Sequence, residues 1–391
     1  MERRGKGRYM YKLSVVIPTK NRIEYCLSAV KSVLNLHNDS IQIVVQDNSE
    51  KSNAELIRTT FESCPAIKYN YHPGILSFVD NFSEAVSFAE GEYLCMIGDD
   101  DAVLPNIIAV ADFAKRNGYE ALVPGLNAVY CWPNETPFIP HAENGYLVLS
   151  YLKNRKRDID CCKLLYKLMK NGGQEYQRLL LPRLYHGLVR RDMMDEIKKA
   201  TGKYFDGLSP DIYNAVSLSL MCKKVCSISF PITVSGICPK SGSSDSATGK
   251  HTGKLTDAPH FRGHTNYKWD SYVPEIYSVE SIWADSALCA LRNFSREDIR
   301  EQFNIGYLDQ LCLSKYPQFK PDIKSHLAKY KISYICSKIK VSLKTIKRLS
   351  RKMVFRLLRK KRDVRKYFDV RTMEQAISIT EDALNRERYI L

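Results

Sequence analysis

No stretch of this chain reaches the roughly 18 apolar residues that a membrane-spanning helix needs, so no segment reads as a span. The basic segment 1–11 is followed only by the short apolar run Leu13–Ile17, too brief for the core of a signal peptide. The expected location is the cytoplasm. Twelve cysteines are present but no Cys-x-x-Cys pair. Cys161 and Cys162 are adjacent, Cys222 and Cys226 stand one helical turn apart, and others such as Cys95 and Cys289 lie in apolar runs. That pattern suits reduced core thiols and offers no zinc site. No glycine-rich loop follows any early strand, so a phosphate-binding P-loop or a dinucleotide fold fits poorly. No internal repeat is visible.

The net charge of +16 is unevenly placed. Residues 338–366 hold fourteen Lys or Arg and one acid, Asp363, leaving the rest of the chain nearly balanced. Over 12–125, strand and helix signals alternate. Strands are expected at Leu13–Ile17, Ile41–Val45, Ile67–Tyr71 and Tyr93–Ile97, with a fifth beginning at Ala121. Helices are expected at Ile23–Leu36, Asn53–Phe61, Ser77–Ala89 and Asn106–Arg116. The alternation implies an α/β fold with a mainly parallel sheet flanked by helices. Residues 126–270 are less regular. They carry helix signals at Ile159–Lys170, Asp192–Thr201 and Pro210–Cys222, a strand signal over Ile228–Ile237, and a long polar loop at 241–266. A helical C-terminal region is expected over 271–391. Within it, 335–366 places Ile335, Ile339, Leu343, Ile346, Leu349, Met353 and Leu357 three or four apart among basic residues, as in a basic amphipathic helix.

Three consecutive carboxylates, Asp99, Asp100 and Asp101, follow the strand Tyr93–Ile97 across Gly98. At the end of a buried strand they repel one another unless a cation intervenes. An acidic turn or helix cap is the plainer reading. In a parallel sheet the polar ends of the other strands share that edge: Thr19 and Asn21 after the first, Asp47 after the second. Ligands bind at such edges, and hard carboxylate oxygens suit Mg²⁺ or Mn²⁺.

Four motifs occur in order: Ser14-Val15-Val16-Ile17-Pro18-Thr19-Lys20-Asn21-Arg22; Asp47-Asn48-Ser49; Asn81 ahead of Gly91-Glu92-Tyr93-Leu94; and Gly98-Asp99-Asp100-Asp101 with Pro105. Over about the first 125 residues the chain resembles glycosyltransferase family 2, with the GT-A (Rossmann-like) fold. The resemblance implies an inverting transferase using a nucleotide-activated sugar, commonly in building surface polysaccharide or glycoconjugates. It implies a nucleotide site at Pro18, Thr19, Asn21, Arg22, Asp47, Asn81, Asp99 and Asp100, with Asp47 toward the base, usually uracil. It maps the Asp-x-Asp motif onto Asp99 and Asp101 as the metal pair, Asp101 holding Mn²⁺ or Mg²⁺ on the diphosphate.

Inversion needs a base for the acceptor hydroxyl. Family 2 enzymes place one beyond the metal motif near a helix start, where Asp211 stands in Leu208-Ser209-Pro210-Asp211. The alternative is a first-turn acid favoured by the helix dipole, and Asp206 and Glu175 are rivals. His186 either lines the acceptor pocket or is structural. Residues 241–251 either close on the donor, bringing Lys240, Lys250 or His251 to the diphosphate, or form a solvated loop. The segment 335–366 is expected on an anionic membrane surface, suiting a lipid-linked saccharide acceptor and a peripheral location on the inner face. Packing on the protein and binding to nucleic acid are the other readings, and nucleic acid is not expected. Two other functions compete: a nucleotidyltransferase of related fold, and a non-enzymatic polyanion-binding protein.

Overall fold

The computed structural model describes residues 9–62, 64–134, 143–150, 152, 154–241, 252–257, 259–261, 267–333, 342 and 364–387. The expected basic helix over 335–366 lies outside them except for 342 and 364–366, and so does most of the loop 241–266.

Strand β1 (Tyr11–Thr19) sends alternate side chains to two apolar layers. Leu13, Val15 and Ile17 enter one core cluster and Val16 the other, the period-2 geometry of a strand covered on both faces. β2 (Ile41–Asp47) divides Ile43 and Val45 from Val44 in the same way. α1 (Ile23–Leu34) covers one face with Cys26, Ala29, Val30 and Val33. α2 (Ala54–Thr60) lies peripherally, burying only Ile57. β3 (Ile67–Tyr71) leads into α3 (Phe78–Ser87), which covers the opposite face with Val79, Ala85 and Val86. Ser77 caps α3 by accepting from the Asp80 N–H, a helix-start device. β4 (Gly91–Met96) completes a parallel set in the order β3-β2-β1-β4.

The chain continues through β5 (Ala102–Val103), α4 (Ile107–Asn117), β6 (Ala121–Val123), β7 (Ala128–Cys131), β8 (Tyr146–Ser150) and β9 (Lys156–Asp158). Next come α5 (Cys161–Lys170), α6 (Tyr176–Leu179), β10 (Leu188–Arg190), α7 (Arg191–Thr201) and α8 (Pro210–Met221). β10 inserts antiparallel between β4 and β6, giving an eight-stranded sheet β3-β2-β1-β4-β10-β6-β11-β9 among the described residues. Three residues carry too little pattern to announce such a strand. The single strand expected over Ile228–Ile237 is two: β11 (Val225–Ile228) in the large sheet and β12 (Thr233–Ile237) in a second. Pro231 stands between them, a residue with no N–H for a ladder.

β13 (Thr252–Lys254) pairs with β14 (Ile276–Ser278), and four helices follow: α9 (Val279–Asn293), α10 (Glu297–Arg300), α11 (Ile305–Lys315) and α12 (Lys320–Lys329). They share the apolar cluster of α5 and α8, through Ala284, Leu288, Ile299, Leu308 and Ile323, so packing does not divide at residue 270. The C-terminus returns to the first half. β15 (Val364–Phe368) pairs with β8, and α13 (Met373–Arg386) buries Met373, Ala376, Ala383 and Leu384 in the cluster of α1 and α4. Residues 364–366, read as the end of a basic helix, are strand.

Candidate active site

The parallel strands deliver their polar ends to one edge. Thr19, closing β1, donates its hydroxyl to Asp99 Oδ2 at 2.7 Å. Arg22, just before α1, holds the same carboxylate: Nε donates to Oδ2 at 3.1 Å and Nη2 lies 2.6 Å from Oδ1. Burial alone would lower the Arg22 pKa, but Asp99 and Asp100 hold it above its ordinary range. Burial pushes Asp99 up to about 7, against the pull of Arg22 and with a further push from Asp100.

Asp101 is enclosed. Gly98 N–H and Tyr185 O–H donate to Oδ2 at 2.6 and 2.8 Å, Gly236 N–H donates to Oδ1 at 2.7 Å, and His186 Nε2 lies 3.2 Å from Oδ2. Burial opposes its charge, yet His186 and these donors hold its pKa below the ordinary carboxylate value. Three of these four contacts fall on Oδ2 and one on Oδ1. Asp100 differs. Oδ2 accepts from Cys238 N–H at 3.1 Å and lies 3.9 Å from Arg22 Nη1, with the Cys238 thiol also against the carboxylate. Burial and the charge of Asp101 raise its pKa. A Cβ on Gly236 would stand 1.7 Å from Asp100 O, so only glycine lets β12 press against the acid run.

Among the described residues no group of three His, Cys, Asp or Glu is disposed around a common metal position. The donor chemistry nevertheless fits a hard cation at Asp100, since Mg²⁺ takes one or two carboxylates and leaves its other positions to phosphate and water.

The remaining expected nucleotide residues divide into knots and open groups. Asp47 is fully buried and bonded to Ser49 N–H, Asn53 Nδ2 and Tyr69 O–H at 2.8, 2.8 and 2.7 Å. It ties the β2 edge together. Asn21 adopts a left-handed φ of 55° that asparagine tolerates better than most. Its N–H donates to Ser49 Oγ and its side-chain oxygen accepts from Glu50 N–H, cross-linking the β1 and β2 ends. Pro18 is buried opposite Gln46. Asn81 is buried with Oδ1 unpartnered.

Asp211 opens α8 behind Pro210, as expected. It is partly exposed but ringed by protein, and no donor meets its carboxylate among the described residues. Burial raises it to about 6, with His186 and Arg183 pulling down and Asp101 pushing up. The structure thus brings Asp211 into the electrostatic field of the acid run. The rivals are engaged elsewhere: Asp206 with Asn293 and Lys203, Glu175 with Arg178. The Lys240 carbonyl lies beside Arg22 Nη1, while its amine lies 3.8 Å from Glu24. Lys250 and His251 fall outside the described residues.

The segment Arg183–Gly187 joins the parts. Leu184 N–H donates to Asn214 Oδ1 of α8 at 2.8 Å, and Met96 exchanges backbone hydrogen bonds with Leu184 and His186 at the end of β4. Buried His186 contacts Thr233 Oγ1 at 2.8 Å through Nδ1. Tyr185 and Arg183 were not expected here. A run of Arg, Tyr and His before a glycine was the available signal, and only the fold shows that Tyr185 reaches Asp101.

Residues 14–166 match the model of the family described as Glycosyl transferase family 2. A Campylobacter jejuni protein, GalNAc(5)-diNAcBac-PP-undecaprenol beta-1,3-glucosyltransferase, is 30% identical over 115 residues, which is 28% of this chain. The chain covers 36% of that relative's length. Among solved structures, S. aureus TarS 1-349 in complex with UDP-GlcNAc is similar at 13% identity and a TM-score of 0.46, over 83% of this chain and 93% of that one. The same fragment in complex with UDP is similar at 14% identity and a TM-score of 0.44, over 86% and 91%. The four motifs fall in order inside the matched stretch, and residues 14–166 carry a glycosyltransferase family 2 domain.

Proposed function

We propose that the chain is an inverting, metal-dependent glycosyltransferase. It moves a sugar from a nucleotide-diphosphate donor, a UDP-sugar, to a saccharide or lipid-linked saccharide acceptor in surface polysaccharide or glycoconjugate synthesis. The observation that carries this reading is the meeting of an acid run at the open sheet edge with Asp211, a carboxylate that no protein donor occupies. A Mg²⁺ or Mn²⁺ ion held by Asp100, with Asp99 or Asp101 joining once a protein donor yields, would neutralise the departing diphosphate. Thr19 and Arg22 fix Asp99 at the donor edge, and Asn81 Oδ1 would accept a hydrogen bond from the nucleoside. Asp211 takes the proton from the acceptor hydroxyl as that oxygen attacks the anomeric carbon opposite the leaving group. The relative's name, which includes a lipid diphosphate, supports a lipid-linked acceptor. The basic segment 335–366 would then hold the enzyme on an anionic membrane surface, each basic residue adding about 1 kcal/mol. No helix among the described residues is long and apolar enough to cross a membrane.

The test is a screen of UDP-glucose, UDP-N-acetylglucosamine and UDP-N-acetylgalactosamine with Mn²⁺, read by thermal shift and donor hydrolysis. One donor should raise the melting temperature and be slowly hydrolysed, in a metal-dependent manner. No stabilisation by any nucleotide sugar overturns the proposal.

A further inference from the structure

Arg183 is the largest fully buried side chain, 2% exposed. Its Nη2 donates to Pro124 O at 3.2 Å, while Nε and Nη1 are buried and meet no acceptor. An unpaired buried guanidinium is costly, so its retention calls for a reason. A carboxylate with no donor of its own, Asp211, lies in the same region, tied to the Arg183 segment by the bond from Leu184 N–H to Asn214 Oδ1, three residues beyond Asp211. Two opposite charges thus feel one another without forming an ion pair.

We propose that Arg183 is the positioning cation for Asp211: held out of contact, it keeps that carboxylate charged while leaving its lone pairs free for the acceptor's proton. This rests on the reading of Asp211 as the base. A bidentate Arg–carboxylate pair would occupy both oxygens and strongly weaken their basicity, whereas a base needs an open oxygen in reach of the hydroxyl. Burial of Nε and Nη1 keeps Arg183 from touching substrate, so its action runs through Asp211. The titratable groups whose charges act on Asp211 or respond to it are Arg183, His186 and Tyr185 of this segment, Tyr176 of α6, and Asp101 beyond β4. Of these, His186 and Arg183 favour its charged form and Asp101 opposes it.

The experiment uses the full chain, the UDP-sugar that the wild type hydrolyses, and UDP as the binding probe. Arg183→Met should move the acid limb of kcat/KM up by about one pH unit, from about 6, so that the rate falls about twofold at pH 7 and about fivefold at pH 6. Donor KM and UDP affinity should stay within twofold. Arg183→Lys, which restores the charge, should recover most of the rate and the wild-type limb. An unmoved limb in Arg183→Met, a lysine variant as impaired as the methionine one, or a loss of UDP affinity matching the loss of rate overturns the proposal. Should Arg183→Met lose its cooperative melt, Arg183→Gln can keep a bond to Pro124 O without the charge and carries the same test. Asp211→Asn separates the two ideas. Full transfer in that variant removes the base reading itself. An inactive Asp211→Asn beside an unshifted Arg183→Met removes only the role given to Arg183.

Discussion

Asp211 occupies the first turn of α8, behind a proline that sets the helix start, so its carboxylate is placed by backbone and not by a side-chain partner. Asp211→Asn keeps the shape and removes the base. Transfer should fall by roughly 10²–10⁴ while UDP binding, measured by calorimetry, stays unchanged. With its pKa pushed up to about 6, the working, ionised form is lost as pH falls through 6, and a pH–rate profile should show an acid limb there that Asp211→Asn removes. Gly236→Ala tests the other side of the site. The added Cβ meets Asp100 O, so β12 must shift, at a cost of roughly 1–3 kcal/mol, and both UDP binding and melting temperature should drop. At this scale the sequence identified the acids but not their orientation. Run and spacing made Asp99 to Asp101 conspicuous, yet which oxygen is open depends on Tyr185, His186, Gly236 and Cys238, all more than eighty residues away. Asp47 shows the same limit: its partners Asn53 and Tyr69 become neighbours only when α2 and β3 pack on β2.

Elements with a full apolar period were readable from the chain. β3 has the expected bounds, Ile67–Tyr71, and α1, α3, α4 and α8 fall within two residues of theirs, because each carries enough buried positions to fix its period. β10 and the division of β11 from β12 were not readable, since short strands inside a mixed sheet are specified by neighbours already in place. Among the C-terminal helices, α11 and α12 are joined by a buried ion pair that pH can probe. His326 Nδ1 lies 2.8 Å from Asp309 Oδ2, and its Nε2 lies 3.0 Å from the Ser271 carbonyl. Burial alone would lower the His326 pKa, but Asp309 and that carbonyl raise it above its ordinary value. Its stabilising contribution is fully present below about pH 6.5, the unfolded value, and is lost as pH rises through the higher folded value. His326→Ala should cost about 3 kcal/mol at pH 6, and the gap from wild type in chemical denaturation should narrow at pH 9. A gap that does not change with pH would show the imidazole acting by packing alone.

The whole chain closes on itself, and that changes what a test of the basic segment must look like. β15 pairs with β8 across five residues, Glu374 of α13 meets Lys31 of α1 at 3.2 Å, and α13 completes the apolar layer over α1 and α4. Its start is fixed by a capping box of Thr372 and Gln375. The described residues on both sides of the basic segment thus pack against the rest of the chain. Deleting 338–391 would remove the charge and also uncover Leu147, Leu149 and the α1 face, so lost binding in such a truncation would report unfolding. Changing every Lys and Arg of 338–362 to Gln isolates the charge. The variant should melt within a few degrees of wild type and hydrolyse its UDP-sugar at the wild-type rate in detergent. Its co-sedimentation with phosphatidylserine vesicles should fall by at least tenfold, because a dozen basic residues near an anionic surface each contribute about 1 kcal/mol. Wild-type binding to those vesicles should also weaken steeply with salt, as screening shortens the reach of surface charge. If the neutralised chain sediments with the vesicles as the wild type does, the charge of the segment does not hold the chain there and the membrane reading fails. If it no longer melts cooperatively, those basic residues belong to the fold.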